Sequence, residues 1–513
     1  MCGIFFIKGQ YNYEILNNYF MKGQSRGPDN SKLESVNENT TIGFHRLMIN
    51  GLNDISNQPI VKNGIYLICN GEIYNYKELY YYLNLNPTTN SDCEIIIDLY
   101  LTYPIEYFIK LLDGVFSFII YDSNLNTYSV GRDPFGVRSM FCNHNFTSFS
   151  SELKQLMFLD QQLKQFPPGH CYTNNKLIKY HSIGDYILPN CSNNNTYTTE
   201  YKFYTNLVRT TLVKAVKKRL LSDRPIACLL SGGLDSSLIT SIVCNLSPGI
   251  QVETYSIGLQ GSTDLHYAKI ISDYLNTNHT EIIVTEDEFF SAIPEVIKRI
   301  ESYDTTTVRA SVGNYLISKY ISENSQAKVI FNGDGADELA GGYLYFNNAP
   351  TALDFNYEIH KLLNNIHYFD VLRSDRTVSS CGLEPRTPFL DKTFVNMYLS
   401  IPLYIRNQNN VIEKKLIRDS FQDLIPDSVL YRKKEAFSDG VSSTGNSWYK
   451  IIEKKVNSIQ LPDTFYEFNT PTTQEQKYYR YLFETEFTEK GAVIPYFWMP
   501  KWTNSTDPSA RTL

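Results

Sequence analysis

The chain has 513 residues and a formal net charge of −7, so it is too long for a single core and lacks the basic field of a nucleic-acid binder. No apolar run reaches membrane-spanning length, and the start Met1-Cys2-Gly3-Ile4-Phe5-Phe6-Ile7-Lys8 has neither the basic flank nor the apolar core of a secretory signal, which makes the cytoplasm the default location. Nine cysteines scattered without a Cys-x-x-Cys spacing argue against a disulfide framework and a zinc site, and leave the sequons at Asn39, Asn145 and Asn504 with little weight.

From Cys2 to about Tyr180, short β-type runs at Gly3 to Ile7, Tyr66 to Cys69, Val115 to Tyr121 and Tyr128 to Gly131 are separated by Gly, Asn and Asp turns. Modest helical stretches fall between them, at Tyr76 to Leu85 and Glu94 to Tyr100, so a layered α+β domain is predicted. The polar stretch from Pro189 to Thr199, with Asn193-Asn194-Asn195, has the composition of a linker and divides the chain into 2–185, a linker at 186–200, and 201–513. Next, Leu207, Leu212, Val216 and Leu220 recur at roughly helical spacing between Phe203 and Leu221. Strands beginning at Ile226 and spanning Val252 to Ile257, Glu281 to Val284 and Lys328 to Phe331 then alternate with helices, one of them Leu265 to Leu275. That alternation predicts a parallel α/β sheet wrapped by helices. Beyond Leu353 the chain reads as mostly helical, and its Trp/Pro-rich tail, Tyr496 to Trp502, should pack on the body.

The stretch Ile226-Ala227-Cys228-Leu229-Leu230-Ser231-Gly232-Gly233-Leu234-Asp235-Ser236-Ser237 reads as strand, phosphate-sized loop and helix. Gly232 and Gly233 let backbone N–H groups approach an anion. The lysine of a Walker A loop is missing, and Asp235 stands there instead; beside phosphates, a carboxylate makes sense mainly as a ligand of Mg²⁺. At the other end of the chain, Cys2 follows the initiator methionine. If Met1 is removed, thiol and α-amine belong to one residue, the pairing used by nucleophilic N-terminal residues.

Cys2 is followed in order by Arg26-Gly27-Pro28-Asp29, His45-Arg46-Leu47, Asn70-Gly71-Glu72-Ile73-Tyr74-Asn75, Ser91-Asp92-Cys93-Glu94, Asp113-Gly114-Val115-Phe116 and Gly131-Arg132-Asp133. This set resembles the class II glutamine amidotransferase domain, an N-terminal-nucleophile fold in which the cysteine hydrolyses glutamine to glutamate and ammonia. The resemblance implies glutamine contacts from Arg46, Leu47, Met48, Ile49, Asn50, Asn70, Gly71, Glu72 and Asp92. Arg46 suits the substrate carboxylate and Asp92 and Glu72 its ammonium. It also implies that Asn70 and the Gly71 N–H stabilise the oxyanion. Asn-Gly is in addition a strong turn signal, so a hairpin turn is expected at Asn70-Gly71. The family usually has His before Arg-Gly-Pro-Asp, where this chain has Ser25.

In the second half, Ser231 to Ser237 joins the blocks Glu301 to Ser311, Gly333 to Glu338, Glu384 to Asp391 and Lys433 to Gly440, and with the tail blocks Trp498 to Trp502 and Asp507 to Leu513 the whole resembles the glutamine-hydrolysing asparagine synthetase family, eukaryotic type. The resemblance implies a carbon–nitrogen ligase that activates aspartate with ATP through β-aspartyl-AMP, releasing AMP and pyrophosphate. ATP contacts are then expected from Leu230, Ser231, Gly232, Gly233, Asp235, Ser236, Ile257, Asn332 and Gly333, and Mg²⁺ ligands from Asp235 and Asp337. Lys434 is expected to face charge developing during adenylation, and Arg309 and Arg386 to face aspartate or the adenylate. Taken singly, Lys434 and Arg386 read as surface ion pairs and Asp337-Glu338 as a helix cap; the motif context reverses this for Lys434, Arg386 and Asp337. The implied partners are glutamine, aspartate and ATP, with no nucleic acid, no membrane, and a homodimer allowed.

The second loop departs most from the family. Where Ser-Gly-Glu-Gly-Ser-Asp-Glu is common, this chain has Asn332-Gly333-Asp334-Gly335-Ala336-Asp337-Glu338. Asp334 keeps the charge with one methylene less, which predicts retained but slower synthesis. Two alternatives differ in kind: a related enzyme acting on another carboxylate, and a glutamine- or nucleotide-binding regulator.

Overall fold

Along Gly3–Lys8 the side chains alternate between two cores. Ile4 and Phe6 enter one, with Ile42, Phe44, Ile68, Ile119, Tyr121, Val130 and Phe149. Phe5 and Ile7 enter another, with Leu16, Phe20 and Phe141. A period of two with both faces buried makes Gly3–Lys8 an inner strand of a layered domain. The computed structural model describes residues 1–159, 161–184, 197–407, 412–443 and 445–509.

Twelve strands build the first half: β1 (Gly3–Lys8), β2 (Asn30–Asn37), β3 (Thr40–Arg46), β4 (Ile60–Lys62), β5 (Ile65–Ile73), β6 (Gly114–Asp122), β7 (Thr127–Arg132), β8 (Phe141–Asn143), β9 (Ser148–Ser150), β10 (Leu163–Gln165), β11 (His170–Thr173) and β12 (Lys176–Lys179). They form two antiparallel sheets, ordered β10-β8-β9-β1-β3-β2 and β12-β11-β7-β6-β5-β4. The outer face of the second sheet, Leu67, Cys69, Ile73, Phe116, Phe118 and Ile120, packs on the helices Tyr76–Leu83, Ile95–Thr102 and Ile105–Phe108. The outer face of the first meets the helix Tyr13–Met21, which Asn12 caps by accepting from the Glu14 N–H at 2.8 Å.

The stretch expected as a linker, 186–200, falls mainly outside the described residues, and from Tyr197 onward it is the helix Tyr197–Lys218. The second half holds a five-stranded parallel sheet of β13 (Ile226–Leu229), β14 (Glu253–Leu259), β15 (Asn278–Val284), β16 (Val329–Phe331) and β17 (Glu384–Arg386), ordered β15-β14-β13-β16-β17. Pro385 lies in β17, an edge strand, where a missing N–H is tolerated. The chain runs outward from β13 on one side and returns to its other side at β16, so the order reverses between these neighbours. The tail packs as expected: Trp498 contacts the rings of Tyr343 and Tyr345 and donates its N–H to Asp304 at 2.7 Å.

The halves share their interior. One apolar cluster joins Leu47, Ile49, Tyr74, Val115 and Phe135 to Val208, Leu212, Phe331 and Leu390. Buried ion pairs cross the same boundary: Arg26 to Asp375 at 2.9 Å, Arg376 to Glu152 at 3.2 Å and Arg138 to Glu384 at 3.4 Å.

Candidate active sites

Cys2 stands directly before β1, where its thiol donates to the Leu47 carbonyl at 3.7 Å. Arg26 holds the backbone in place: its Nε donates to the Cys2 carbonyl at 3.0 Å while Nη1 and Nη2 bind Asp375 at 2.9 and 3.3 Å. Burial pushes the Cys2 thiol up to about 11, against the pull of the neighbouring α-ammonium. That ammonium belongs to Met1, which is itself buried; it donates to the Leu383 carbonyl at 3.3 Å, and burial lowers its pKa to about 6.

Asn70 and Gly71 do not form the expected turn. They lie inside β5, opposite Ser117 and Phe116 of β6, because the apolar run Ile65 to Cys69 and Ile73 beyond continue the pairing on both sides. A Cβ at Gly71 would overlap the Val115 carbonyl oxygen, so only glycine permits this approach. Asn70 is fully buried, and neither its amide nitrogen nor its amide oxygen has a hydrogen-bond partner. An orphaned buried amide is costly, and it suits a donor held ready for an oxyanion.

Asp92 accepts from the Ile73 N–H at 2.6 Å, and burial pushes its carboxyl up to about 6. Glu72 accepts from Asn50 Nδ2 at 2.5 Å; burial, then the charges of Asp92 and Glu384, raise its pKa well above the usual carboxylate range. Two carboxyls kept from ionising together are a natural receptor for an ammonium. Arg46, at the end of β3, is held by the carbonyls of Asn50, Gly51 and Asn53 and by Asn57 Oδ1. These oxygens are neutral, so its charge stays available to an anion. Between them, the Met48 N–H donates to Asp29 at 2.8 Å, and the Met48 and Ile49 carbonyls accept from Arg224 Nε and the Asp223 N–H, each at 3.0 Å.

The second site lies at the carboxyl ends of β13 and β16, the switch point where an open α/β sheet forms a crevice. Loops 230–233 and 332–335 lead from these strands into the helices Leu234–Leu246 and Ala336–Ala340. Gly232 has φ +68°, and a Cβ there would overlap the backbone of Tyr267 and Ala268. One at Gly333 would strike Asp235 and the Ser236 N–H, so the loops touch. The Ser231 and Ser236 hydroxyls lie 3.0 Å apart, and Leu230 and Ile257 supply apolar lining.

A buried lysine joins the loops. Lys414 Nζ lies 2.6 Å from Asp235 and 2.5 Å from Asp337, and Lys434 Nζ lies 2.5 Å from the second Asp337 oxygen. Against the cost of burial, the two lysines hold the Asp337 carboxyl far below its usual range, and the two carboxylates hold Lys414 charged. Asp235 Oδ1 is buried without a hydrogen-bond partner. The carboxylates therefore already gather positive charge and keep an oxygen to spare, which fits a Mg²⁺ ion held by one or two carboxylates together with phosphates.

The structure thus gathers Cys2, Arg46 to Asn50, Asn70 to Glu72 and Asp92 at one site. Leu230 to Gly233, Asp235, Ser236, Ile257, Asn332 to Asp334, Asp337 and Lys434 gather at the other. It does not bring Arg309 or Arg386 to the cleft. Arg309 pairs with Glu475 at 2.6 Å and Asp507 at 2.7 Å, fixing the tail. Arg386 pairs with Glu384 at 2.5 Å, caps the Arg219 and Leu221 carbonyls and reaches Glu72 at 3.5 Å, on the amidotransferase side. Lys414, Arg373 and the anchoring role of Arg26 were not legible beforehand. Arg26 stands in the motif Arg26-Gly27-Pro28-Asp29, whereas Lys414 sits in Glu413-Lys414-Lys415, which reads as surface charge.

Comparison with known proteins identifies the family. The family described as Asparagine synthase matches residues 207–357 and 347–492, and the one described as Glutamine amidotransferase domain matches residues 1–176. The chain is 42% identical over 557 aligned residues to "Asparagine synthetase [glutamine-hydrolyzing]" of Homo sapiens, covering 100% of this chain and 98% of that protein. The proteins of the same name from Bos taurus and Gallus gallus are 41% and 39% identical, with the same coverage.

Proposed function

The chain belongs to the family of glutamine-hydrolysing asparagine synthetases, and from that premise we propose that it makes L-asparagine from L-aspartate with ammonia released from L-glutamine, converting ATP to AMP and pyrophosphate. The observation that carries the reading is the presence in one chain of the Cys2 thiol, the partnerless buried Asn70 amide and a switch-point cleft whose loops converge on Asp235 and Asp337. Glutamine chemistry falls to residues 2–185 and synthesis to 201–513.

In the first half, removal of Met1 leaves the α-amine on Cys2, where it takes the thiol proton. The thiolate attacks the glutamine side-chain carbonyl carbon, and Asn70 Nδ2 and the Gly71 N–H receive the oxyanion. Collapse releases ammonia and leaves a thioester, which water hydrolyses to glutamate. Arg46 takes the substrate α-carboxylate, and Asp92 and Glu72 its ammonium.

In the second half, the loop from Ser231 to Ser236 binds the ATP phosphates, with Leu230, Ile257, Asn332 and Gly333 lining the nucleoside side. The aspartate side-chain carboxylate attacks the α-phosphorus, forming β-aspartyl-AMP and expelling pyrophosphate; ammonia then displaces AMP. Asp235 and Asp337 are the residues that would hold a Mg²⁺ ion, which when bound would supply positive charge to the departing pyrophosphate. Lys434 faces the same charge, and Asp334 faces the proton lost as ammonia attacks. Arg309 and Arg386 are engaged elsewhere, and Arg373, which lines the cleft, is paired with Asp334 and Asp370.

Incubating the purified chain with glutamine, aspartate and Mg-ATP tests the reading: asparagine, AMP and pyrophosphate should appear in equal amounts. Glutamate without AMP would overturn it in favour of a chain with a damaged synthetase site, AMP without asparagine would point to another acceptor, and neither product would point to a regulator. Among the described residues no helix is long and apolar enough to cross a membrane. Cytoplasmic residence and a homodimer accompany the reading, checked by fractionation and sedimentation.

A further inference from the structure

The second loop departs from its family at three positions, Asn332, Asp334 and Ala336, and the structure links the first two. Asn332 Nδ2 donates to Asp334 Oδ2 at 2.7 Å and to Ser374 Oγ at 2.8 Å. Its Oδ1 accepts from the Asp334 N–H at 3.3 Å, so the amide grips its neighbour at both backbone and side chain. The other Asp334 oxygen accepts from Arg373 Nη2 at 2.8 Å, and the same guanidinium binds Asp370 at 3.2 Å. Asn332 is anchored in turn, its own N–H donating to the Arg386 carbonyl at 3.2 Å. Both carboxylate oxygens of Asp334 therefore have a named donor, one from the end of β16 and one from the helix Asp370–Ser379.

We propose that Asn332 is a positioning residue that clamps the Asp334 carboxylate together with Arg373, so that Asn332 and Asp334 form a compensated pair in place of the family's serine and glutamate. This rests on the synthetase reading above. The chemistry of the side chains supports it. A carboxamide has two donor hydrogens and an acceptor, and all three contacts above use them; a serine hydroxyl has one donor hydrogen and a shorter reach. A glutamate at 334 would carry its carboxylate one methylene past the amide and into the space of Arg373. Each departure alone breaks the clamp, whereas both together leave the carboxylate fixed at the cleft. The pair also revises the expectation drawn from Asp334 alone: the shorter side chain is met by a longer one, and synthesis need not be slow.

Two measurements on the full-length chain decide the matter. In the first, asparagine formation from aspartate, Mg-ATP and ammonium chloride is compared for N332S, D334E and N332S/D334E. Each single variant is expected to lose on the order of a hundredfold in kcat, the scale of a 1 Å misplacement. The double variant should recover most of that loss. Losses that multiply in the double variant overturn the proposal, as does a loss confined to a raised KM for ATP with kcat unchanged. In the second, the crystal structure of N332S should show the Asp334 carboxylate released from Arg373; an unmoved carboxylate overturns the clamp. A wild-type chain that forms no asparagine would refute the synthetase reading, and the crystallographic result would still decide the clamp.

Discussion

Lys414 makes Asp235 and Asp337 depend on a third residue. With Lys414→Met the two carboxylates face each other across a poorly solvated cleft, and unfolding free energy should fall by about 3 kcal/mol, the scale of a broken buried pair. Urea unfolding with and without Mg²⁺ checks this: the ion should restore part of the loss, and no recovery would remove the pair as metal ligands. Asp92 permits a pH test. Its carboxyl titrates near 6 because burial favours the neutral form, and only the ionised form holds an ammonium. Below pH 6, kcat/KM for glutamine should therefore fall about tenfold per unit, and Asp92→Asn should lower it while flattening that slope. A profile flat down to pH 5 in the unaltered chain would exclude Asp92 as the ammonium receptor. At this scale legibility followed local motif: Cys2, Asp235 and Asp337 could be read because neighbours along the chain define their setting. Arg309 and Arg386 could not, since a long guanidinium is claimed by whatever carboxylate the fold brings near, here Glu475, Asp507 and Glu384.

At the scale of elements, β5 shows why Asn70-Gly71 deceived. Turn propensity is a local preference, and nine residues paired along β6 outweigh it. Gly71→Ala is expected to destabilise the chain by about 2 kcal/mol through overlap with Val115 and to abolish glutamate release. Wild-type glutamine hydrolysis by this variant would rule out the tight β5–β6 approach. The alternation of strands and helices after Ile226 was enough to read a parallel sheet. The strand order was not readable, because the return from β15 to β16 passes through the helices Glu286–Ser291, Ile293–Ile300 and Thr305–Asn324, whose placement depends on packing. The first half was legible as α+β only, since short strands such as Phe141–Asn143 and Ser148–Ser150 carry too few residues for an alternating pattern.

For the whole molecule, the boundary at 186–200 divides sequence more than interior. Apolar clusters and buried Arg–carboxylate pairs span it, so both halves should unfold in one calorimetric transition, and two separated transitions would contradict the shared core. Composition suggested a division at 186–200, but it could not show that Phe5 and Ile7 would pack with residues beyond it. Arg26 carries a consequence for anyone recombining such enzymes. It grips the carbonyl of Cys2 with one nitrogen and Asp375 with others, across a separation of 349 residues. A chimera that moves residues 2–185 onto a foreign ligase would import the nucleophile without its anchor. Grafting would have to transplant the segment Asp370–Ser379 as well, making the heritable unit a discontinuous one.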